Sequence, residues 1–400
     1  MTPEELHRAI ARGDVAEQSS AARQTQSGDD VRLLDVRNRD EYEAWRISGE
    51  TVDSTVVPYS RFMAAEVQGT VGELAAENGI SEDENVVVVC GRGEASDYVA
   101  ELLREAGYDA ENLERGMRGW ARVYDAREVP ADAEATVLQY RRPSSGCLAY
   151  LVVSGEEAAV VDPLRAFADR YVADARERGA ELRYAVDTHV HADHVSGVRD
   201  VADLTGAEIV LPTGAANRGL AYADAEEYDV RFVGGGDELR VGDATLTAVD
   251  APGHTPEMTA FRLSDLLFAG DSLFVESVAR PDLAEGDEGA PDAARRLHRT
   301  LTETFEAFED DVTVAPGHYG EATEPAANGT YTATLGELRD RLSALSMDEA
   351  AFVEYVLGDM PPRPANYEEI VETNIGREAL ADEEAFELEL GPNNCAATAA

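Results

Sequence analysis

The sequence predicts two consecutive domains that each mix strands and helices, and three observations carry that prediction. Its 400 residues exceed what one ordinary hydrophobic core organises. From about residue 31 short apolar runs alternate with helical stretches, the pattern of a parallel α/β sheet. From about residue 134 strand-like runs dominate, and histidines and an aspartate recur at their ends. Hydrophobic residues make up 44% of the chain, enough for globular cores, while no apolar run approaches the length of a membrane span.

The opening residues lack the basic and apolar regions of a signal peptide and read as a capped helix, with Thr2 as N-cap, Pro3 in the first turn and Glu5 three residues after the cap. Residues 13–30 are polar and predict a loop or partly disordered insertion. Residues 31–35 and 86–90 read as strands, the second ending in a Gly-rich turn, and 40–45 as a short helix. Residues 95–106 have helical periodicity, with Tyr98, Val99, Leu102 and Leu103 on one side. The Pro, Ala and acid-rich piece 127–134 predicts a linker, so the domains are expected at 1–127 and 128–390. In the second half strands are expected over 136–140, 148–153, 158–162, 183–188, 244–250, 265–270 and 312–316, with helices over 167–178 and 293–308. The small residues 391–400 predict a disordered tail.

Charge narrows the function classes. Eighty acidic residues face 34 basic ones, all arginine, for a net charge of −46. The acids run the length of the chain rather than forming a tail, so the bias belongs to folded surface. Repulsion among them opposes compaction in dilute buffer, and at molar salt the Debye length of roughly 3 Å removes most of it. A salt-rich cytoplasm of the halophilic kind is therefore expected. The acidic balance disfavours nucleic-acid binding, because phosphate neutralisation needs a basic patch. Three cysteines, Cys90, Cys147 and Cys395, make no disulfide framework in a chain of this size, which agrees with a reducing compartment.

Three of the seven histidines fall within six residues, in Thr188-His189-Val-His191-Ala-Asp193-His194. His254 and His318 each follow Pro-Gly, and Asp271 closes Phe268-Ala-Gly-Asp. Each group sits at or just past a strand-like run, so loops at one sheet edge bring them together. Imidazole and carboxylate donors suit Zn²⁺, Fe²⁺ or Mn²⁺. His7 and His298 stand outside the pattern and read as ordinary surface or core residues.

The pattern His-x-His-x-Asp-His followed by three separated ligands resembles the metallo-β-lactamase superfamily over about residues 134–385, which implies an αββα sandwich. Two groups within it share these motifs, the persulfide dioxygenases and the glyoxalase II hydrolases. The stretches Leu138-Gln-Tyr, Ser145-Gly-Cys-Leu-Ala-Tyr-Leu-Val and Val161-Asp-Pro are similar to the opening strands of the dioxygenases. Ala279-Arg-Pro-Asp-Leu resembles their Gly-Arg-x-Asp loop, and Pro364-Ala-Asn-Tyr-Glu-Glu-Ile with Asn374-Ile-Gly their ending. That resemblance implies Fe(II), with zinc as the alternative, held by His189, His254 and Asp271, a two-His-one-carboxylate set that leaves open positions. It implies that His191, Asp193, His194 and His318 orient ligands and water; in the hydrolases the same positions complete a second metal site. Glu257-Met258 departs from the Gly usual in both groups. Arg280 is expected either to grip the carboxylate of a thiol carrier or to pair with Asp282, and Tyr319 either to line the pocket or to pack.

Cys90-Gly-Arg-Gly-Glu-Ala-Ser96 lies between a strand and a helix, where backbone N–H groups and the helix N-terminus favour a thiolate. Together with Leu34-Asp-Val-Arg37, Glu41-Tyr, Ile47-Ser-Gly, Val57-Pro58 and Glu114-Arg-Gly-Met-Arg-Gly-Trp120 it resembles a single rhodanese domain over residues 1–125. Asp35 and Arg37 are expected to hold the loop. Arg92 is the one loop cation, opposed by Glu94, so thiosulfate should be a poor donor and a small thiol persulfide a better one.

Three readings follow. The leading one is oxidation of a low-molecular-weight thiol persulfide to sulfite with O₂, coupled to sulfur transfer at Cys90. The second is thioester hydrolysis by two metals. The third is a sulfur carrier with a structural metal, against which stands the absence of cysteine from the ligand set. The expected partner is a small-molecule thiol or persulfide, with no membrane; oligomeric state is left open, a homo-oligomer included.

Overall fold

The computed structural model describes residues 1–18, 31–131, 134–223, 226–358 and 360–397. The chain divides into two compact units, one of Met1–Tyr124 with Arg142–Ser145 and one of Asp125–Arg141 with Gly146–Ala400.

In the first unit four parallel strands, β1 (Val31–Asp35), β2 (Val52–Val56), β3 (Asn85–Val89) and β4 (Asp109–Asn112), lie in the order β2-β1-β3-β4. β3 is a Val run buried on both faces, as a central parallel strand requires. Val86 and Val88 face one core with Leu34, Val99 and Leu103, and Val87 and Val89 face the other with Leu33, Met117 and Trp120. The expected cap of the first helix (Pro3–Gln18) is present: Glu5 N–H donates to Thr2 Oγ1 (3.2 Å), and Thr2 N–H to Glu5 Oε2 (2.8 Å). That helix extends into the segment read as a loop, and residues 19–30 lie outside the described ones. The helix Glu94–Glu105 buries Val99, Leu102 and Leu103 as expected, whereas Tyr98 reaches outward to Glu66 at 2.9 Å.

The second unit is a sandwich of two sheets. One is seven-stranded: β5 (Asp125–Val129), β6 (Thr136–Arg142), β7 (Cys147–Ser154), β8 (Glu157–Val161), β9 (Glu181–Val186), β10 (Glu208–Pro212) and β11 (Val230–Val233), neighbours in chain order. The other is six-stranded: β12 (Glu238–Val241), β13 (Ala244–Asp250), β14 (Thr259–Leu263), β15 (Leu266–Gly270), β16 (Thr313–Pro316) and β17 (Ala333–Thr334). Successive side chains of a strand point to opposite faces, and β15 shows the consequence. Leu266 and Phe268 enter the core between the sheets with Tyr150, Val161 and Val186. Leu267 and Ala269 enter the outer core under the helix Gly286–Arg299, with Leu297 and Leu301. The helices Ala168–Glu177 and Val198–Thr205 cover the other sheet, giving the four-layer αββα arrangement.

Two expectations are corrected. The linker expected at 127–134 begins as a strand: β5 pairs antiparallel with β6 from Asp125 against Arg141 to Val129 against Val137, because a free backbone beside β6 finds its hydrogen bonds there. The tail expected to be disordered is packed as far as Ala397. Cys395 and Ala397 are buried, Ala397 N–H donates to Val278 O (2.8 Å), and Ala396 pairs with Ala279. Small residues here fit a close backbone approach rather than solvent.

Part of the acidic excess lies on exposed helix starts, among them Glu4, Glu5, Glu368, Glu369, Glu383 and Glu384, where the helix dipole favours negative charge. Buried charges are paired instead, as in Asp35–Arg37 and Arg280–Asp282, both at 2.7 Å. Screening should therefore stabilise the protein. Thermal unfolding followed by circular dichroism is expected to move upward by several degrees between about 0.1 M and about 2 M KCl. An unchanged midpoint would contradict the electrostatic account.

Candidate metal centre and cysteine loop

The centre is assembled from the ends of four strands. Past β9, Thr188 is held by the Asp162 carboxylate, which accepts from Thr188 N–H (2.7 Å) and Thr188 Oγ1–H (3.0 Å). Asp162 itself has φ 52°, a left-handed conformation uncommon outside glycine, directly after β8. The carboxamide of Asn374 clamps the far end of the histidine turn, donating to the carbonyls of His191 (3.0 Å) and His194 (2.9 Å) and accepting from Ser196 N–H (2.8 Å). Glu389 takes the next free amide, Val195 N–H, at 3.1 Å.

His254 follows β13, Asp271 follows β15 and His318 follows β16. Two glycines let these turns close up. A Cβ on Gly270, whose φ is 47°, would stand 2.3 Å from Met258 Cε and 2.6 Å from Thr188 Oγ1. One on Gly317 would stand 2.4 Å from Asp271 Oδ1.

Three buried atoms converge without a hydrogen-bond partner: His189 Nε2, His254 Nε2 and Asp271 Oδ2. Asp271 Oδ2 is 3.5 Å from His254 Nε2 and 3.9 Å from His189 Nε2. The other atom of each group is committed. His189 Nδ1 meets Thr188 Oγ1 (2.9 Å), His254 Nδ1 donates to Arg280 O (2.8 Å), and Asp271 Oδ1 accepts from His318 Nδ1 (2.7 Å). Buried polar atoms left open cost roughly 1–3 kcal/mol each, so three aimed at one point fit a cation. Two imidazoles and a carboxylate suit a divalent transition metal.

The remaining members of the constellation surround this set. His318 lies between Asp271 and Asp193, with Nε2 at 2.8 Å from Asp193 Oδ2. Burial opposes its protonation, yet the two carboxylates raise its pKa well above the ordinary histidine range. Asp193 is correspondingly held well below the usual carboxylate range, despite burial, by His318 and His194. His194 Nδ1 meets the same Asp193 oxygen at 3.2 Å; burial works against its charged form, but Asp193 lifts its pKa to about 9. His191 turns away to Asp162 (3.2 Å) and Asp187 (3.5 Å). His189 is pushed well below the ordinary histidine range by burial and by His191, which keeps its Nε2 lone pair available.

Two residues were left open between a substrate contact and a structural role. Arg280 is buried with its guanidinium fully engaged: Nε and Nη2 donate to the two oxygens of Asp282 at 2.7 and 3.0 Å, and Nη1 to Pro362 O and Asn394 O. It holds the C-terminal segment, while its backbone carbonyl orients His254. Tyr319 lies face to face with Tyr331, ring centroids 3.6 Å apart at 9°.

Sequence reasoning missed several contributors. Cys147 stands beside His318 and donates to Asp193 Oδ2 at 3.2 Å, and Cys395 lies with Asp271 and His318. Burial and the neighbouring carboxylates push the Cys395 thiol well above its usual range. Asn374 was visible only as part of a resemblance. Glu257, noted as a departure, is buried and ties the turns together by accepting from Val190 N–H (3.3 Å) and Arg218 Nη1 (2.9 Å).

In the first unit Cys90 ends β3, and its sulfur accepts from Gly93 N–H (3.0 Å) and Ser96 Oγ–H (3.1 Å). Gly93 has φ 105°, and Arg115 and Gly116 press against the loop from below. Asp35 and Arg37 form a buried pair, and Arg37 also donates to Trp45 O (2.7 Å). Arg92 and Glu94 are both exposed.

The four-layer fold and its strand-end ligand cluster define a class, and the chain belongs to the metallo-β-lactamase superfamily, whose family model matches residues 143–318. The rhodanese-like domain model matches residues 17–123. Relatives include persulfide dioxygenase ETHE1, mitochondrial, of Homo sapiens, 29% identical over 59% of this chain and 86% of that protein. The hydroxyacylglutathione hydrolase of Methylococcus capsulatus is 30% identical over 58% of this chain and 82% of its own length. Among solved structures, a metallo-β-lactamase from Staphylococcus aureus is 28% identical with a TM-score of 0.54, covering 62% of this chain and 74% of that one. Among the described residues no helix is long and apolar enough to cross a membrane.

Gly317→Ala drives a methyl group into Asp271 Oδ1 and displaces the carboxylate. Metal content after dialysis, measured by plasma mass spectrometry, is expected to fall at least tenfold relative to the parent, with the unfolding transition retained.

Proposed function

We propose that this chain oxidises a low-molecular-weight thiol persulfide to sulfite and the free thiol, with iron(II) held by His189, His254 and Asp271. The overall balance is R–S–SH + O₂ + H₂O giving R–SH, SO₃²⁻ and two protons. One observation carries the reading: His189 Nε2, His254 Nε2 and Asp271 Oδ2 converge as unpartnered buried atoms, while His318 is spent between two carboxylates and His191 faces Asp162 and Asp187. Both the family resemblance and the dioxygenase relatives agree with it. Iron supplies the one-electron redox chemistry that closed-shell zinc lacks.

The chain's own residues set the stage. Protonated His318 occupies Asp271 Oδ1 and leaves Oδ2 for the metal. Arg280 O and Thr188 Oγ1 fix the two imidazole planes, a role that second partners of metal ligands commonly play. Cys90 carries sulfur: its thiolate attacks the outer sulfur of a donor R–S–SH, forming Cys90–S–SH and releasing R–S⁻; a second small thiolate R′–S⁻ then attacks that outer sulfur, forming R′–S–SH and freeing the Cys90 thiolate. Gly93 N–H and Ser96 Oγ–H stabilise the anionic sulfur before attack.

A hydrolase reading has one observation of its own. Cys147, Asp193, His194 and His318 also offer ligand atoms within 4.8 Å of one another, as a second metal requires. Oxygen uptake separates the two. In high salt the iron-loaded protein is expected to consume O₂ with glutathione persulfide, and His254→Ala to lose at least a hundredfold of that rate. Hydrolysis of an acyl-thioester with no O₂ uptake would overturn the dioxygenase reading. Cys90→Ser should abolish sulfur transfer while sparing oxidation of a supplied persulfide; loss of both activities would sink the division of labour.

A further inference from the structure

Ser96 has one hydroxyl proton and three acceptors within reach. Its oxygen lies 2.7 Å from Asn112 Oδ1, 3.1 Å from Gly93 O and 3.1 Å from Cys90 Sγ. Ser96 is completely buried in the first turn of the helix Glu94–Glu105, so no water competes for that proton. Asn112 ends β4, where its register against β3 places it beside the strand that terminates in Cys90. Its backbone carbonyl is itself tied down, accepting from the Met1 ammonium at 3.0 Å.

A hydroxyl donates once, and the charge on sulfur decides where. A neutral thiol is a weak acceptor and a weak donor. The favoured chain is then Cys90 S–H to Ser96 Oγ, and Ser96 O–H to Asn112 Oδ1. An anionic sulfur is a strong acceptor, and a charge-assisted bond to it outweighs a neutral one to an amide. The hydroxyl then turns to Cys90, and its oxygen needs a donor. A carboxamide meets both demands, because a half-turn about its last side-chain bond exchanges C=O for NH₂ in the same space.

We propose that Asn112 is a positioning residue that reverses the direction of this chain, releasing the Ser96 proton to the Cys90 thiolate and taking it back when the sulfur is protonated. The thiol proton itself leaves to solvent or to an incoming base. The inference rests on the reading of Cys90 as the reactive cysteine of its unit. Other charged groups around the loop are Arg92 and Glu94 on its rim, Arg115 and Arg118 on the turn packed against it, and Glu111 with the Met1 ammonium (3.3 Å) at the strand edge. Cys90 Sγ itself is faced by the Gly93 amide and the Ser96 hydroxyl.

The test is a double-mutant cycle on the full chain, read as the pH profile of iodoacetamide alkylation at Cys90, quantified by mass spectrometry in about 2 M KCl. Ser96→Ala removes the side-chain donor, and Asn112→Asp keeps the shape but, once ionised, can only accept. Each is expected to move the profile to higher pH and slow alkylation at neutral pH about tenfold. In the Ser96→Ala background, Asn112→Asp should add nothing, because its effect travels through the hydroxyl. Equal shifts by Asn112→Asp in both backgrounds would mark a through-space charge effect and overturn the proposal, as would profiles superimposable on the parent. A normal cycle in a protein whose Cys90→Ser variant still transfers sulfur would instead refute the carrier reading and leave the relay standing.

Discussion

The hydrogen bond from His318 Nδ1 to Asp271 Oδ1 determines how the centre is divided. Without it both carboxylate oxygens of Asp271 would be open and His318 would have two lone-pair positions to offer. With it, and with Asp193 on the opposite side of the ring, His318 carries the positive charge that two buried carboxylates demand. Asp271 Oδ2, His189 Nε2 and His254 Nε2 are left as one converging set of unpartnered atoms, beside Asp193 Oδ1 and His194 Nε2 in the neighbouring group. A bound cation would offset the cost of their desolvation.

That division depends on contacts far along the chain. The histidine turn is closed by Asn374 and Glu389, and the His254 side is closed through Arg280, which links its own turn to Asp282, Pro362 and Asn394. Residues after 360 therefore form part of the wall of the centre rather than an appendage. A buried arginine serves here because its planar fork satisfies a carboxylate and two carbonyls at once. The same rigidity that makes it a good clamp removes it from substrate binding.

The cysteine loop follows a different logic. One backbone amide and one hydroxyl face Cys90 Sγ, and the hydroxyl is shared. In a chain this acidic, a site that relies on dipoles rather than fixed positive charge changes little when salt screens the surface. Stabilising an anion through neutral donors also suits exchange with singly charged thiols more than capture of a dianion.

Much of this was legible beforehand. The strand–turn–ligand repeats located His189, His254, Asp271 and His318 near one another, since strand periodicity, Pro-Gly turns and donor types are all local properties. The Cys90 loop was visible for the same reason. The β5 pairing and the packed 391–397 segment were not, because a short polar or small-residue stretch acquires structure only from the backbone beside it. Arg280 was undecided between two partners, and the nearness of Asp282 together with the carbonyls of Pro362 and Asn394 settled it. The residue types alone thus pointed to a candidate metal-ligand set and a loop cysteine as the places where this chain could do chemistry. Which of seven candidate donors stay open was decided by the tertiary structure, because the partners that close His254, Asp271 and His318 are brought by folding from elsewhere in the sequence.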